Sequence, residues 1–165
     1  MNIKELSSVY NVRYLTENDV AEVLELCKAN PQYYEHCPPF VTEESIISDM
    51  KALPPMKTYD DKHYFGFYEG KTLVAVMDLI EKYPNEHTSF IGFFMVDKAY
   101  QGKGVGSGIV QEVFKELKKH YTHVRLGYIN TNLQAKSFWH KNGFENTGIT
   151  SKQELYTVTV AEKIL

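Results

Sequence analysis

Asp97-Lys98-Ala99-Tyr100-Gln101-Gly102-Lys103-Gly104-Val105-Gly106-Ser107-Gly108 lies between an apolar run ending at Val96 and a segment with helical spacing. Glycines at 102, 104 and 106 let the backbone approach a ligand without Cβ clashes. The N–H groups of such a loop and of the helix it opens form an anion site that suits a pyrophosphate. Two phosphate-binding patterns are excluded by spacing. A dinucleotide GxGxxG needs a glycine five places after its first, where Ser107 or Ile109 stands. A P-loop ending at Gly70-Lys71-Thr72 needs a glycine at position 65, which is Phe65. Taken alone, the loop also reads as a plain strand-to-helix turn.

Working outward, Ser89 to Val96 reads as a strand and Val105 to Lys119 as a helix with Val105, Ile109, Val113 and Leu117 on one stripe. His123 to Ile129 alternates as a strand. Asn132 to Asn142 is a short helix with Ala135, Phe138 and Trp139 on one face, stopped by Gly143. Phe144 to Thr150 and Leu155 to Glu162 are two more strands. Upstream, Asn11 to Leu15 is a strand, and Thr16 caps a helix over 17–30 that Pro31 stops. Residues 32–41 read as irregular and aromatic. Thr42 caps a second helix marked by Ile46, Met50 and Leu53, and His63 to Tyr68 and Lys71 to Glu81 are paired strands. The order β-α-α-β-β-β-α-β-α-β-β predicts an α+β layer fold, with no repeat or linker to divide residues 1–165 into more than one domain.

Composition limits the function classes. The 165 residues are 43% hydrophobic, 24% charged and 13% aromatic, as expected of a folded soluble chain. The longest uncharged apolar run, Phe90 to Val96, is far short of the ~20 residues a membrane span needs. Met1 to Glu5 has no apolar core and carries an early acid, so no secretory leader is expected. Two cysteines, Cys27 and Cys37, with no CxxC or HExxH, predict neither a disulfide framework nor a metal site, and a reducing, cytoplasmic setting. Residues 1–100 carry 9 basic and 16 acidic side chains and residues 101–165 carry 9 and 5, giving net charges of −7 and +4. No basic run suggests nucleic acid. The polarity suits an anionic ligand on one side and a cationic one on the other, or reflects solvated charges falling unevenly.

The glycine loop and the later segment Asn132-Leu133-Gln134-Ala135-Lys136-Ser137-Phe138-Trp139-His140-Lys141-Asn142-Gly143-Phe144 together resemble the GNAT superfamily of acyl-CoA-dependent N-acyltransferases. Its Q/R-x-x-G-x-G/A motif is matched by Gln101, Gly104 and Gly106. Its N-x-x-A-x-x-(hydrophobic)-Y-x-K-x-G-F motif is matched at Asn132, Ala135, Phe138, Lys141, Gly143 and Phe144. The resemblance covers about residues 72–144 and implies a three-layer fold: a mixed, mostly antiparallel sheet of about seven strands flanked by four helices. It also implies acetyl-CoA as cosubstrate, no metal, and a small-molecule amine as acceptor. A homodimer is common in such a family, but no residue here demands one.

The resemblance assigns roles residue by residue. Met95 and Val96 would pair with the pantetheine arm, and Gln101, Gly102, Lys103, Gly104, Val105, Gly106 and Ser107 would cradle the pyrophosphate. Asn132 and Trp139 would line the same slot, and a backbone N–H near Val96 would stabilise the oxyanion. The motif's tyrosine, which can protonate the leaving sulfur, is replaced here by Trp139, whose indole N–H is a donor but no acid. Tyr128 is the candidate replacement, or a core tyrosine; His140 reads as a surface residue. Asp78 and Glu81 are candidate proton acceptors for the amine; otherwise Asp78 lies on a solvated sheet face and Glu81 is a solvated strand end. Tyr33, Tyr34 and Phe40 are candidates for the acceptor pocket, with Glu35 and His36 beside them. The implied activity is direct acetylation of a primary amine. A non-catalytic acyl-CoA sensor, or an acetyltransferase acting on protein N-termini or lysines, are the competing readings.

Overall fold

Leu73 to Ile80 is apolar but for Asp78 and does not alternate, because both faces of its strand are covered. In the computed structural model, which describes residues 1–165, this strand is β3 (Thr72–Ile80). The other elements are β1 (Asn11–Tyr14), α1 (Val20–Lys28), α2 (Pro31–His36), α3 (Glu43–Lys51), β2 (Lys62–Glu69) and β4 (Thr88–Val96). They are followed by α4 (Val105–Leu117), β5 (His123–Ile129), α5 (Leu133–Lys141), β6 (Glu145–Lys152) and β7 (Thr157–Ile164). The strands form one sheet in the order β1-β2-β3-β4-β5-β7-β6. Every neighbouring pair is antiparallel except β4 and β5.

Each face buries a separate core. On one, Phe65, Phe67, Met77, Leu79, Ile91 and Leu126 meet Ile109, Val113 and Leu117 of α4 and Trp139 of α5. On the other, Tyr64, Tyr68, Leu73, Val76 and Met95 meet Val23, Leu24 and Cys27 of α1 and Ile46 of α3. This is the expected three-layer α+β fold, with five helices where four were expected. None of them is long and apolar enough to cross a membrane.

The differences lie between β1 and α3. Thr16 caps a 3-10 turn, Glu17–Asp19, before α1 begins at Val20, so the expected helix over 17–30 is shorter. Pro31 does not merely stop α1. It is the first residue of α2, where a proline's missing N–H costs nothing and its φ is already helical. The aromatic stretch expected to be irregular is therefore helical over its first half. Thr42 caps α3 as expected: its Oγ1 accepts from Ser45 N at 3.1 Å, and Ser45 Oγ accepts from Thr42 N at 3.0 Å.

Candidate active site

β4 and β5 are paired only from Thr88↔His123 to Ile91↔Leu126. Past Ile91, β4 bulges at Gly92 and runs on to Val96, while β5 stays with β7. The two strands part, and a cleft of about 1130 Å³ opens between them. Asp97 N donates to Val74 O at 2.8 Å, which sets the alternation of the β3–β4 ladder. Phe93 and Met95 therefore turn their backbone groups to β3, and Phe94 and Val96 turn theirs to the cleft. Val96 O is held by Gln101 Nε2 at 2.8 Å and Asn30 Nδ2 at 3.2 Å. The Val96 N–H and both groups of Phe94 have no strand partner on that side, so the edge can accept an added extended chain.

The glycine loop closes one end of the cleft. Gly102 (φ +75°) and Gly104 (φ +79°) adopt the left-handed region, and Gly104 is the N-cap of α4. The first helical hydrogen bond runs from Gly108 N to Gly104 O, 2.9 Å. None of the six N–H groups from Gly102 to Ser107 donates to a protein acceptor. Together with the N-terminal end of a 13-residue helix they form a concentrated anion site. Gly106 is tightly placed: a Cβ there would lie 3.2 Å from Phe138 Cε2 and 3.3 Å from Val96 Cγ2. Ser107 Oγ accepts from Asn142 Nδ2 at 3.2 Å, tying the loop to the end of α5.

Met95, Val96, Gln101, Gly102, Gly104, Val105, Gly106, Ser107, Asn132 and Trp139 all line this cleft; Lys103 points its Nζ at Ala99 O, 3.2 Å, on the outside. Asn132 is buried and caps α5, its Oδ1 accepting from Ala135 N at 3.0 Å. Trp139 is wedged between Phe94, Phe138 and Phe144, with ring centroids 5.9, 4.9 and 5.3 Å away, and its indole N–H has no protein acceptor. Tyr128 also lines the cleft, but its hydroxyl turns to β6, donating to Asn146 Oδ1 at 2.7 Å. His140 is exposed as expected, yet its Nε2 stands 3.4 Å from the Tyr128 hydroxyl.

The opposite wall comes from α2. Tyr33 lines the cleft and meets Phe93 edge-on at 6.0 Å. Tyr34 and Phe40, expected beside it, are not in the wall. Neighbouring residues on a helix diverge by about 100°, so Tyr34 turns inward, where burial and the Cys27 thiol push its phenol up, and Phe40 packs on it at 5.4 Å. Cys27 is sealed in the core, its thiol pushed up to about 11 by burial. Cys37 does line the cleft, with Tyr156. His36 Nδ1 and Thr131 Oγ1, 2.9 Å apart, bridge α2 to the β5–α5 connection across the cleft mouth.

The two acids part company. Asp78 faces neither the open cleft nor solvent. It is buried behind Gly92, with Oδ2 accepting from Lys62 Nζ at 2.7 Å and Oδ1 without any partner. A Cβ on Gly92 would lie 2.7 Å from that Oδ2, so only the missing side chain separates the carboxylate from the cleft lining. Burial pushes the Asp78 carboxyl up, with Lys62 opposing. An unpaired buried oxygen costs roughly 1–3 kcal/mol, which makes this position a strained one. Glu81 lies outside the cleft altogether. It accepts from His63 Nε2 (2.6 Å), Tyr121 Oη (2.5 Å) and the Met1 amino group (3.2 Å), and those bonds, led by His63, hold it at about 2 despite burial. A carboxylate held that low is a poor proton acceptor, so its role is structural.

The lowered Glu81 carboxyl also makes stability depend on pH. A depressed carboxyl stabilises the fold above its unfolded value, about 4.5, and the stabilisation is lost as pH falls toward 2. Allowing for solvent screening of a partly open group, it is worth about 2 kcal/mol at neutral pH. Glu81→Gln is therefore expected to lower Tm by about 4–8 °C at pH 7. The gap from wild type narrows below about pH 4.5 and closes as pH falls through about 2. Thermal unfolding followed by circular dichroism across pH 2–8 checks it; a gap as large at pH 2 as at pH 7 refutes it.

Three residues at or near the site carried no signal that the motifs could expose. Asn30, the N-cap of α2, joins Val96 O to the glycine loop, its Oδ1 accepting from Gln101 Nε2 at 2.6 Å. Lys62 opens β2 and is buried against the Tyr64 ring, its Nζ 5.8 Å from the centroid. Asp49 follows buried Ile46 by three residues on α3, which puts an acid on the helix's apolar stripe, the one hint available in sequence. Asp49 itself is exposed and lines no part of the cleft; the protein around it raises its carboxyl, with Lys62 opposing.

Comparison with known proteins gives one consistent result. Residues 23–144 match the model of the Acetyltransferase (GNAT) family. A Bacillus subtilis subsp. natto protein named probable spermine N(1)-acetyltransferase is 23% identical over 148 residues, covering 84% of this chain and 89% of that one. Among solved structures, an acetyltransferase from Thermus thermophilus superposes with a TM-score of 0.76 at 18% identity, over 100% of both chains. The PaiA N-acetyltransferase of Thermoplasma acidophilum, crystallised in complex with coenzyme A, superposes at 0.67 and 17% identity, over 94% of this chain and 98% of its own.

Proposed function

The chain belongs to the GNAT family of acetyltransferases, and from that premise we propose that it moves an acetyl group from acetyl-CoA to the primary amine of a small cationic acceptor. One observation carries the reading: where β4 leaves β5, an unpaired strand edge runs directly into six unused N–H groups at the start of α4. An extended pantetheine arm fits the first and a pyrophosphate the second. Asn30 and Gln101 hold the join between them rigid.

In the reaction the acceptor ammonium first loses a proton, to Asp78 through the Gly92 opening or to water. The neutral nitrogen attacks the thioester carbonyl, and the Val96 N–H lies where it can support the oxyanion. The C–S bond breaks, the thiolate leaves and takes up a proton, and the amide nitrogen gives up its second proton. Trp139 lines the leaving-group end with a free N–H donor. Attack is direct: Cys27 is sealed away, and Cys37 belongs to the acceptor wall rather than to the thioester end.

A small cationic acceptor is supported by the net charge of −7 over residues 1–100, by the rings of Tyr33 and Phe93, and by the name of the spermine-directed relative. The His36–Thr131 bridge across the mouth favours a small molecule over a polypeptide strand.

Thermal unfolding with acetyl-CoA tests the first half. Saturation at about 100 times Kd stabilises by roughly 2.7 kcal/mol, a rise of about 5–10 °C at this size. Release of free CoA thiol with alkyl amines, amino acids and peptide N-termini tests the second, with the amines expected to react fastest. No rise at millimolar acetyl-CoA in folded protein overturns the proposal. A rise without thiol release from any acceptor leaves an acyl-CoA sensor.

A further inference from the structure

Between Gln101 and Ser107 the glycine loop has one hydroxyl, that of Ser107, and the end of α5 decides how it can serve. Asn142 is the C-cap of α5 and only 4% exposed. Its Nδ2 lies 2.8 Å from Phe138 O and 3.2 Å from Ser107 Oγ, and its Oδ1 lies 3.1 Å from Gln111 Nε2. A backbone carbonyl can only accept, so the atom that faces Phe138 O is the amide NH2. That fixes the amide against a flip, and Gln111 donating to Oδ1 agrees with it. Both Nδ2 hydrogens are then used, one on Phe138 O and one on Ser107 Oγ. Ser107 Oγ is held as an acceptor, and its own hydrogen donates to no group of the protein. A serine in a helix otherwise turns that hydrogen back to the carbonyl three or four residues earlier. Ser107 lines the cleft in the first turn of α4, beside the six N–H groups that donate to nothing, whereas Asn142 does not line it.

We propose that Asn142 is a positioning residue for the cofactor: by donating to Ser107 Oγ it frees the Ser107 hydroxyl to act as a seventh donor to the pyrophosphate. This rests on the acetyl-CoA reading and adds to it a residue that acts through Ser107 and not by its own contact. A site made only of donors suits an anion that carries charge and no hydrogen, and the amide of Asn142 keeps the one group that could do either in the donating sense.

Calorimetric titration of CoA tests it, in a cycle of wild type, Ser107→Ala, Asn142→Asp and the double variant. Ser107→Ala is expected to raise Kd by about tenfold, the scale of a hydrogen bond to a charged group. Asn142→Asp keeps the shape but sets an acceptor where the donor was. The Ser107 hydroxyl then turns to the carboxylate, whose charge also opposes the anion, and Kd should rise by about tenfold or more. Adding Ser107→Ala to Asn142→Asp should then cost less than about twofold, because the hydroxyl no longer serves the ligand. If Asn142 only packs the end of α5, Ser107→Ala costs the same in both backgrounds, and that result overturns the proposal. So does a Ser107→Ala variant that binds CoA as wild type does.

Where Asn142→Asp does not fold or binds too weakly to titrate, Asn142→Ala takes its place. It lets the hydroxyl turn back on the helix, and is expected to raise Kd about threefold in wild type and not at all in Ser107→Ala. Equal losses in the two backgrounds overturn the proposal. Failure of folded wild type to bind CoA ends the acetyl-CoA reading and the role of Asn142 with it, whereas binding without coupling between Ser107 and Asn142 ends the role alone.

Discussion

Gly106→Val is expected to raise Kd for acetyl-CoA by about 100-fold or more, because both walls of the cleft meet at that Cα. A Cβ there already sits 3.2 Å from the Phe138 ring and 3.3 Å from Val96 Cγ2. The two γ-methyls of valine extend further and must push α5 or the end of β4 aside. Those are the surfaces that set the width of the slot, and the Gly106 N–H is one of the six unused donors. At an acetyl-CoA concentration that protects wild type by about 2.7 kcal/mol, a 100-fold weaker variant retains only about 0.4 kcal/mol, so its Tm rise falls to about 1–2 °C. Gly108→Ala is the matched control. Its Cβ meets nothing within 4 Å. Removing a helical glycine there should stabilise the protein by roughly 0.5–1 kcal/mol with binding unchanged. Equal acetyl-CoA protection in Gly106→Val and wild type would mean that the pyrophosphate does not lie on this loop.

What could be read in advance followed physical range. The glycine loop and the cap at Thr42 are local, and the structure places them where spacing predicted, while Thr16 caps a 3-10 turn ahead of the helix it was expected to open. Pro31 is local too, but ambiguous, since the same residue ends one helix and begins another. Tyr33 and Tyr34 are adjacent, and no composition argument says which of them a short helix turns outward. Glu81 looked like a possible proton acceptor because its partners come from distant segments: His63 is 18 residues away and Tyr121 is 40. Asp78 and Lys62 are likewise joined only by the β2–β3 ladder, which sets Lys62 opposite Ile80 and Tyr64 opposite Asp78. Asn30, which joins Val96 to the glycine loop, bonds a carbonyl 66 residues along the chain. The motif residues between 95 and 139 thus lay close together in the sequence, which is why the half of the cleft proposed for the cofactor was legible. The opposite wall, with Tyr33 of α2 before it and Asp78 and Lys62 of β3 and β2 behind Gly92, became legible only when the fold brought these elements together.

Trp139 bears on both stability and chemistry, and two substitutions separate the roles. Trp139→Ala empties a buried position among Phe94, Phe138 and Phe144. Large-to-small changes of this kind cost about 3–5 kcal/mol, so Tm should fall by about 6–20 °C. Calorimetry in the absence of acetyl-CoA measures it; a fall under about 3 °C would mean that the indole is not part of the core. Trp139→Tyr keeps an aromatic ring in place and restores the residue that the family motif carries at this position. Positioned acid catalysis is worth roughly 10²–10⁴-fold where proton transfer limits the rate. A CoA thiolate, from a thiol near pKa 8.5, already leaves tolerably at neutral pH. The expected gain in kcat is therefore at the bottom of that range or below it, a few-fold to about 100-fold, across the range where a tyrosine, of ordinary pKa about 10, stays protonated. An unchanged kcat across pH 6–9 would show that departure of the thiolate needs no acid here. The indole N–H, already free to donate, would then suffice as the only group at the sulfur.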